Sequence, residues 1–156
     1  MIDYTQLRDL VIIPALSDLQ MYSDDARELL VFTCATESLG GTFLKQKKGP
    51  AVGIMQMEPN TYTDIWVNFL FKNPSMLSIM GLKFDCPRMP QPERMIYDLR
   101  FAVAMARIHY RRVKEQLPDH TDIDAIWEYY KKYYNTPLGK AKKDVSIKHY
   151  ESFIKG

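Results

Sequence analysis

Cysteine and histidine are scarce in this chain of 156 residues: there are two cysteines and three histidines. Cys34 and Cys86 are too few for a disulfide scaffold, and with His109, His120 and His149 scattered they do not make a structural zinc site. Neither a metal nor a cofactor is expected. Long apolar runs are also missing. The longest candidate, Leu10 to Leu16, is interrupted by Pro14 and falls far short of the roughly 18 residues that suggest a membrane span. Charge of one sign is not in excess either; a net charge of +2 does not argue for nucleic acid as a partner. The start, Met1-Ile2-Asp3-Tyr4, is acidic where a secretory leader is basic, and Arg8-Asp9 sits where its apolar stretch belongs. The expectation is a protein made in a cytoplasm without a leader, with no membrane insertion and with reduced thiols. Cys34, inside the run Leu29-Leu30-Val31-Phe32-Thr33-Cys34, reads as a small buried apolar group.

What is present is helical periodicity. At 46% hydrophobic and 26% charged, the chain has the balance of one globular domain, and its length suits a single core over residues 1–156. Leu7, Leu10, Val11, Ala15, Leu16 and Leu19 recur at three and four residues, with Pro14 kinking or restarting the helix. Ser23 or Asp24 caps a second helix whose apolar positions wrap most of the cylinder, so it runs through the core. Gly40-Gly41 stops it and leaves Glu37 in its last turn, an unusual place for an anion. Residues 42–57 read as a loop with at most short strands. Further helices are expected from Pro59, from Met76 to Gly81, from Pro92 to about Gln116, from Asp122 to Tyr134 and from Val145 to Ile154. The fold class is mainly α, with six or seven helices and no internal repeat.

Three short segments carry chemistry. Glu37-Ser38 closes the buried helix; Gly53-Ile54-Met55-Gln56-Met57-Glu58-Pro59-Asn60-Thr61 follows the polar loop; Tyr134-Asn135-Thr136 lies near the end. In this order they resemble the soluble lytic transglycosylase domain of the lysozyme-like superfamily, whose pattern is E-S, then G-L-M-Q-x-x-P-x-T, then A-Y-N-A-G. The step of 19 residues from Glu37 to Gln56 is close to the family's. Gly49-Pro50-Ala51-Val52-Gly53, Asp64-Ile65-Trp66 and Tyr134-Asn135-Thr136-Pro137-Leu138-Gly139-Lys140 are similar to bacteriophage members. Thr136 and Pro137 depart from the usual A-G. The resemblance covers roughly residues 23 to 140 and implies a lysozyme-like fold with a long loop or minimal β region after the catalytic helix.

It also implies an activity. The substrate would be the peptidoglycan glycan strand, cleaved between N-acetylmuramic acid and N-acetylglucosamine to leave a 1,6-anhydro end. Glu37 would be the single general acid and base. Burial and the negative end of a helix both raise a carboxyl pKa, which suits that work. Gln56 and the Met55 backbone would contact saccharide, and Tyr134 would reach the catalytic carboxyl. Ser38 would lie near substrate, although a serine at a helix end also has backbone partners. Asn135 would either contact sugar or fix the turn that follows.

Glu58 and Asp64 are the alternatives for a second carboxylate, which keeps hydrolysis of the goose-type lysozyme kind open. Trp127, Tyr129, Tyr130 and Tyr133 form an aromatic cluster, part core, with one ring available for sugar stacking. Lys45, Lys47 and Lys48, and again Lys140, Lys142 and Lys143, form basic loops that either lie solvated or attract an anionic wall polymer. A phage enzyme of entry or lysis would act in the periplasm and wall, carried by the virion or released at lysis, with virion proteins or a holin as partners. A different class, a virion structural or wall-binding protein with little activity, would use the same fold.

Overall fold

The computed structural model describes residues 1–136 and 138–156; Pro137, one of the two departures from the motif, lies outside the described residues. It is mostly helical. No strand forms among the described residues, and residues 42–58 contribute only isolated antiparallel bridges from Val52 to Lys45 and to Met57. No helix among the described residues is long and apolar enough to cross a membrane.

The chain opens with α1 (Tyr4–Leu7) and α2 (Ile13–Asp18), joined by a π turn at Arg8–Ile12. Pro14 explains the widened turn. It has no N–H to give the carbonyl four residues back, and its ring crowds that carbonyl. The freed Leu10 oxygen accepts instead from Arg100 Nε at 3.3 Å, a bond that crosses the fold.

Helix α3 (Asp24–Ser38) is the central element. Ser23 caps it, its hydroxyl accepting from the Ala26 amide at 3.0 Å, and Asp24 and Asp25 sit in the electropositive first turn. Leu29 to Phe32 and Cys34 are all within 1% of complete burial, so α3 presents core on nearly every side, packed by α7, α8 and α9. It ends abruptly: Leu39, Gly40 and Gly41 all have positive φ. The Gly40 amide turns back to the Cys34 carbonyl at 3.2 Å, which fixes Glu37 in the last turn.

After the 42–58 loop come α4 (Pro59–Asn68), a single 3-10 turn at Leu70–Lys72 and α5 (Pro74–Lys83). Prolines occupy the first turn of both helices, where a missing N–H leaves no bond unmade. The long helix expected from Pro92 to Gln116 is instead two: α6 (Arg94–Tyr97) and α7 (Leu99–Arg111). Asp98 causes the break. Its backbone is extended and its carboxylate caps α7 through the Phe101 amide at 3.0 Å, while Arg94 holds the same carboxylate at 3.0 Å. α7 ends before Leu117-Pro118, in a tight turn closed by Val113 N–H on the Tyr110 carbonyl.

Asp122 caps α8 (Ile123–Tyr130), which runs into a second π turn at Lys131–Asn135. α9 (Lys143–Lys155) begins slightly before the expected Val145. Phe153 inserts from α9 at 2% exposure and meets Tyr4 edge-on at 5.6 Å, a burial that contributes about 1.5–3 kcal/mol. Both cysteines are free and buried, and burial pushes the Cys34 thiol up to about 12, which makes it inert.

Candidate active site

Each of the three sequence segments contributes to one cavity of about 590 Å³. Its lining includes Glu37 from the end of α3, Gln46, Ala51, Gln56, Met57 and Glu58 from the loop, and Thr61 from α4. His109 comes from α7, and Tyr134 to Thr136 with Leu138 to Ala141 close the other side.

Glu37 is half-buried beside this cavity. Burial raises its carboxyl from the ordinary 4.5 to about 7, and a hydrogen bond from Tyr130 pulls the other way. Desolvation wins, so at neutral pH the group is poised between acid and carboxylate. The Tyr130 hydroxyl donates to Glu37 Oε2 and its ring is fully buried. The hydroxyl of Tyr134 is engaged elsewhere. It donates to the Met55 carbonyl at 2.6 Å, tying the second π turn to the 53–57 loop. The expectation that Tyr134 reaches Glu37 is therefore corrected: Tyr130, one α-helical turn earlier, makes that bond, and the two rings stack at 6.2 Å.

The 53–57 loop is shaped by its glycine and its glutamine. Gly53 has φ +81°, and a methyl group there would overlap the Met95 carbonyl oxygen. Gln56 also has positive φ, 47°, uncommon for a residue with a side chain. Its backbone N–H and its side-chain Nε2 both donate to the Gly53 carbonyl, at 3.0 and 2.9 Å. The Oε1 atom of Gln56 makes none of these bonds, and the residue lines the cavity, so among the described residues its acceptor is the free end. Val52 and Met57 exchange paired backbone bonds of 3.0 Å and clamp the base of the loop.

Two of the other expected contacts lie away from the cavity surface. Ser38 is fully buried; its hydroxyl donates to the Cys34 carbonyl at 3.1 Å and accepts from the Gly41 amide at 2.9 Å. It shapes the end of α3 and does not line the cavity. Met55 is 1% exposed and its carbonyl is taken by Tyr134, so it supports the loop from behind. Asn135 lines the cavity, but its Oδ1 accepts from Lys131 Nζ at 2.7 Å, and the same ammonium reaches the Gly139 carbonyl at 2.7 Å. Of the two roles weighed for Asn135, fixing the following turn is directly visible.

Among carboxylates, Glu58 is exposed and lines the same cavity as Glu37. Asp64 does not. It is bonded to Arg112 Nη1 at 2.7 Å and to Asn68 at 2.6 Å, which hold its carboxyl below the usual range. Trp127, Tyr129 and Tyr130 are core and Tyr133 is half-buried, so no ring of that cluster stands exposed. Of the lysines, Lys140 lines the cavity; Lys143 pairs with Asp124 at 3.1 Å. Away from this site, Asp25, Asp119 and His120 bring one ligand atom each within 4.8 Å, but Asp25 already accepts from the amide and Nδ1 of His120.

Sequence reasoning missed Tyr130 and His109. Tyr130 looked like one of several core aromatics, and nothing local links it to a glutamate 93 residues away. His109 carried a signal, a polar ring on the apolar stripe of α7. No known family model, curated protein or solved structure matches the chain.

Proposed function

We propose that the protein cleaves peptidoglycan glycan strands between N-acetylmuramic acid and N-acetylglucosamine by lytic transglycosylation, on a lysozyme-like fold, with Glu37 as general acid and base. The observation that carries this reading is the Glu37 carboxyl itself: held near neutrality by burial, oriented by Tyr130, and opening on a cavity with the Gln56 acceptor. The order of the Glu37-Ser38, Gly53–Thr61 and Tyr134-Asn135 segments supports the same reading.

In the reaction, the Glu37 carboxyl gives its proton to the glycosidic oxygen as the bond from C1 breaks. The substrate's N-acetyl oxygen stabilises the positive charge at C1. Glu37, now a carboxylate, takes the proton of the 6-hydroxyl while O6 bonds to C1, closing the anhydro ring and restoring the acid. Atoms and charge balance without water. A neutral Gln56 amide can orient an N-acetyl group without drawing on the Glu37 proton. The setting we propose is phage entry or host lysis, with the enzyme carried by the virion or released at lysis.

Glu58, on the same cavity, favours one second reading: hydrolysis, with Glu58 steering a water to C1. Mass spectrometry of purified sacculi digested by wild type and by Glu37→Gln separates the cases. Anhydro-muropeptides from wild type alone support transglycosylation. Reducing-end products lost in Glu58→Gln support hydrolysis. Wall binding without release of glycan would make the protein a structural or wall-binding component.

A further inference from the structure

We propose that His109 is a positioning residue for Glu37, fixed in its Nε2–H tautomer by Arg112 and Asp64 and holding the Tyr134–Tyr130 pair against the catalytic carboxyl. The inference rests on the glycan-cleaving role of Glu37, and its test is read on nuclei rather than on products.

Arg112 follows His109 by three residues and lies on the same side of the chain; its Nη2 stands 2.9 Å from His109 Nδ1. A guanidinium only donates, so Nδ1 must offer a lone pair and the ring proton belongs on Nε2. The guanidinium is itself anchored from α4: Nη1 donates to Asp64 Oδ2 at 2.7 Å, and Asp64 also accepts from Asn68 at 2.6 Å. Arg112 Nε is buried without a partner among the described residues, so these two bonds set the orientation of the group.

The other side of the ring faces the site. His109 lines the cavity and meets Tyr134 edge-on, with centroids 5.3 Å apart and planes at 70°. Tyr134 stacks on Tyr130, and Tyr130 donates to Glu37. A path of contacts thus runs from Asp64 on α4, through Arg112 at the cap of α7 and His109 on that helix, to the tyrosines and Glu37. Charge follows the same geometry. Burial first, then the Arg112 cation, push the imidazole down to about 4, while the Tyr133 backbone and Asp64 act weakly against them. A protonated ring would put an N–H against an N–H of Arg112, so the charged ring and the Arg112 bond exclude each other. The groups that face His109 are Arg112 just past the end of α7, Asp64 from α4, the Tyr133 backbone and the rings of Tyr110 and Tyr134. A neutral ring there leaves Glu37 free to hold its proton.

The experiment uses the full chain labelled with 15N at histidine and 13C at glutamate. Long-range 1H–15N correlation at pH 7 should show His109 as the neutral Nε2–H tautomer; Nδ1–H or imidazolium would overturn the proposal with no variant needed. In Arg112→Met, the His109 midpoint should climb toward the ordinary 6.5. His109→Ala should raise the Glu37 titration midpoint by more than about half a unit, because the Tyr130 donor loses its support. His109→Phe, which keeps a ring against Tyr134, should return part of that shift. A Glu37 midpoint equal in wild type and His109→Ala would reduce His109 to cavity wall and overturn the inference. Wild type that shows the expected tautomer yet releases no glycan would instead overturn the proposed function.

Discussion

Tyr130 donates its phenolic proton to Oε2 of Glu37, while Tyr134, four residues on and stacked against it, donates to the Met55 carbonyl. One tyrosine orients the carboxyl and the other orients the loop opposite. Separate consequences follow for the two hydroxyls.

In Tyr130→Phe the hydrogen bond that lowers the Glu37 pKa is gone, so the midpoint should rise above about 7 and the alkaline limb of activity should move with it. Turnover should fall by about tenfold or more through lost orientation. Tyr134→Phe should leave that limb in place and weaken substrate binding, since it frees the 53–57 loop. pH–rate profiles of both variants on sacculi measure this; a shifted limb in Tyr134→Phe alone would reverse the assignment.

A general acid must be protonated to act. With Glu37 near 7, wild-type kcat/KM should be highest on the acid side and decline as pH rises through about 7. A profile flat to pH 9 would exclude Glu37 as the proton donor.

Stability falls in the same direction. The folded carboxyl titrates near 7 and an unfolded one near 4.5, so its contribution is fully present below about 4.5 and is lost as pH rises through about 7. Glu37→Gln cannot ionise and escapes this loss. Relative to wild type, it should gain about 2–3 kcal/mol between pH 4 and pH 8 in urea unfolding. Equal pH dependence in the two proteins would mean that Glu37 is not desolvated.

The Gly53 position tests the loop. Gly53→Ala forces a methyl group against the Met95 carbonyl at a φ that favours glycine, and should cost about 2 kcal/mol or more with a matching loss of activity. A change under about 0.5 kcal/mol would show that the loop can shift to accept it.

Much of the helical layout was legible because its signals are local. Ser23 before an apolar run, Pro59 opening α4 and Gly40-Gly41 after Glu37 act within one turn of themselves. The break at Asp98 was not legible: Pro92 to Gln116 is periodic throughout, and only the capping bond to Phe101 with the Arg94 pair decides against one helix. Within the site, Glu37, Gln56 and Tyr134 stood out by motif order. Ser38 and Met55 stood in the same motifs yet point into the core, because motif spacing does not fix which side of a turn faces the cavity. Tyr130 meets Glu37 far along the chain, where sequence pattern has no reach, and His109 bonds Arg112 three residues on but meets Tyr134 only through the fold.

The second π turn also fixes a rotation. Lys131–Asn135 holds one residue more than an α-helical turn would, and Tyr134, Asn135 and the Lys131 clasp are all placed by that extra residue. Wound as α-helix with no residue removed, the same stretch would turn everything beyond it by about 100°. Tyr134 would swing off the Met55 carbonyl while Tyr130, lying before the turn, kept its hold on Glu37. The cavity would lose one wall with Glu37 still in place, so this short stretch sets the phase between that carboxyl and the surface opposite it.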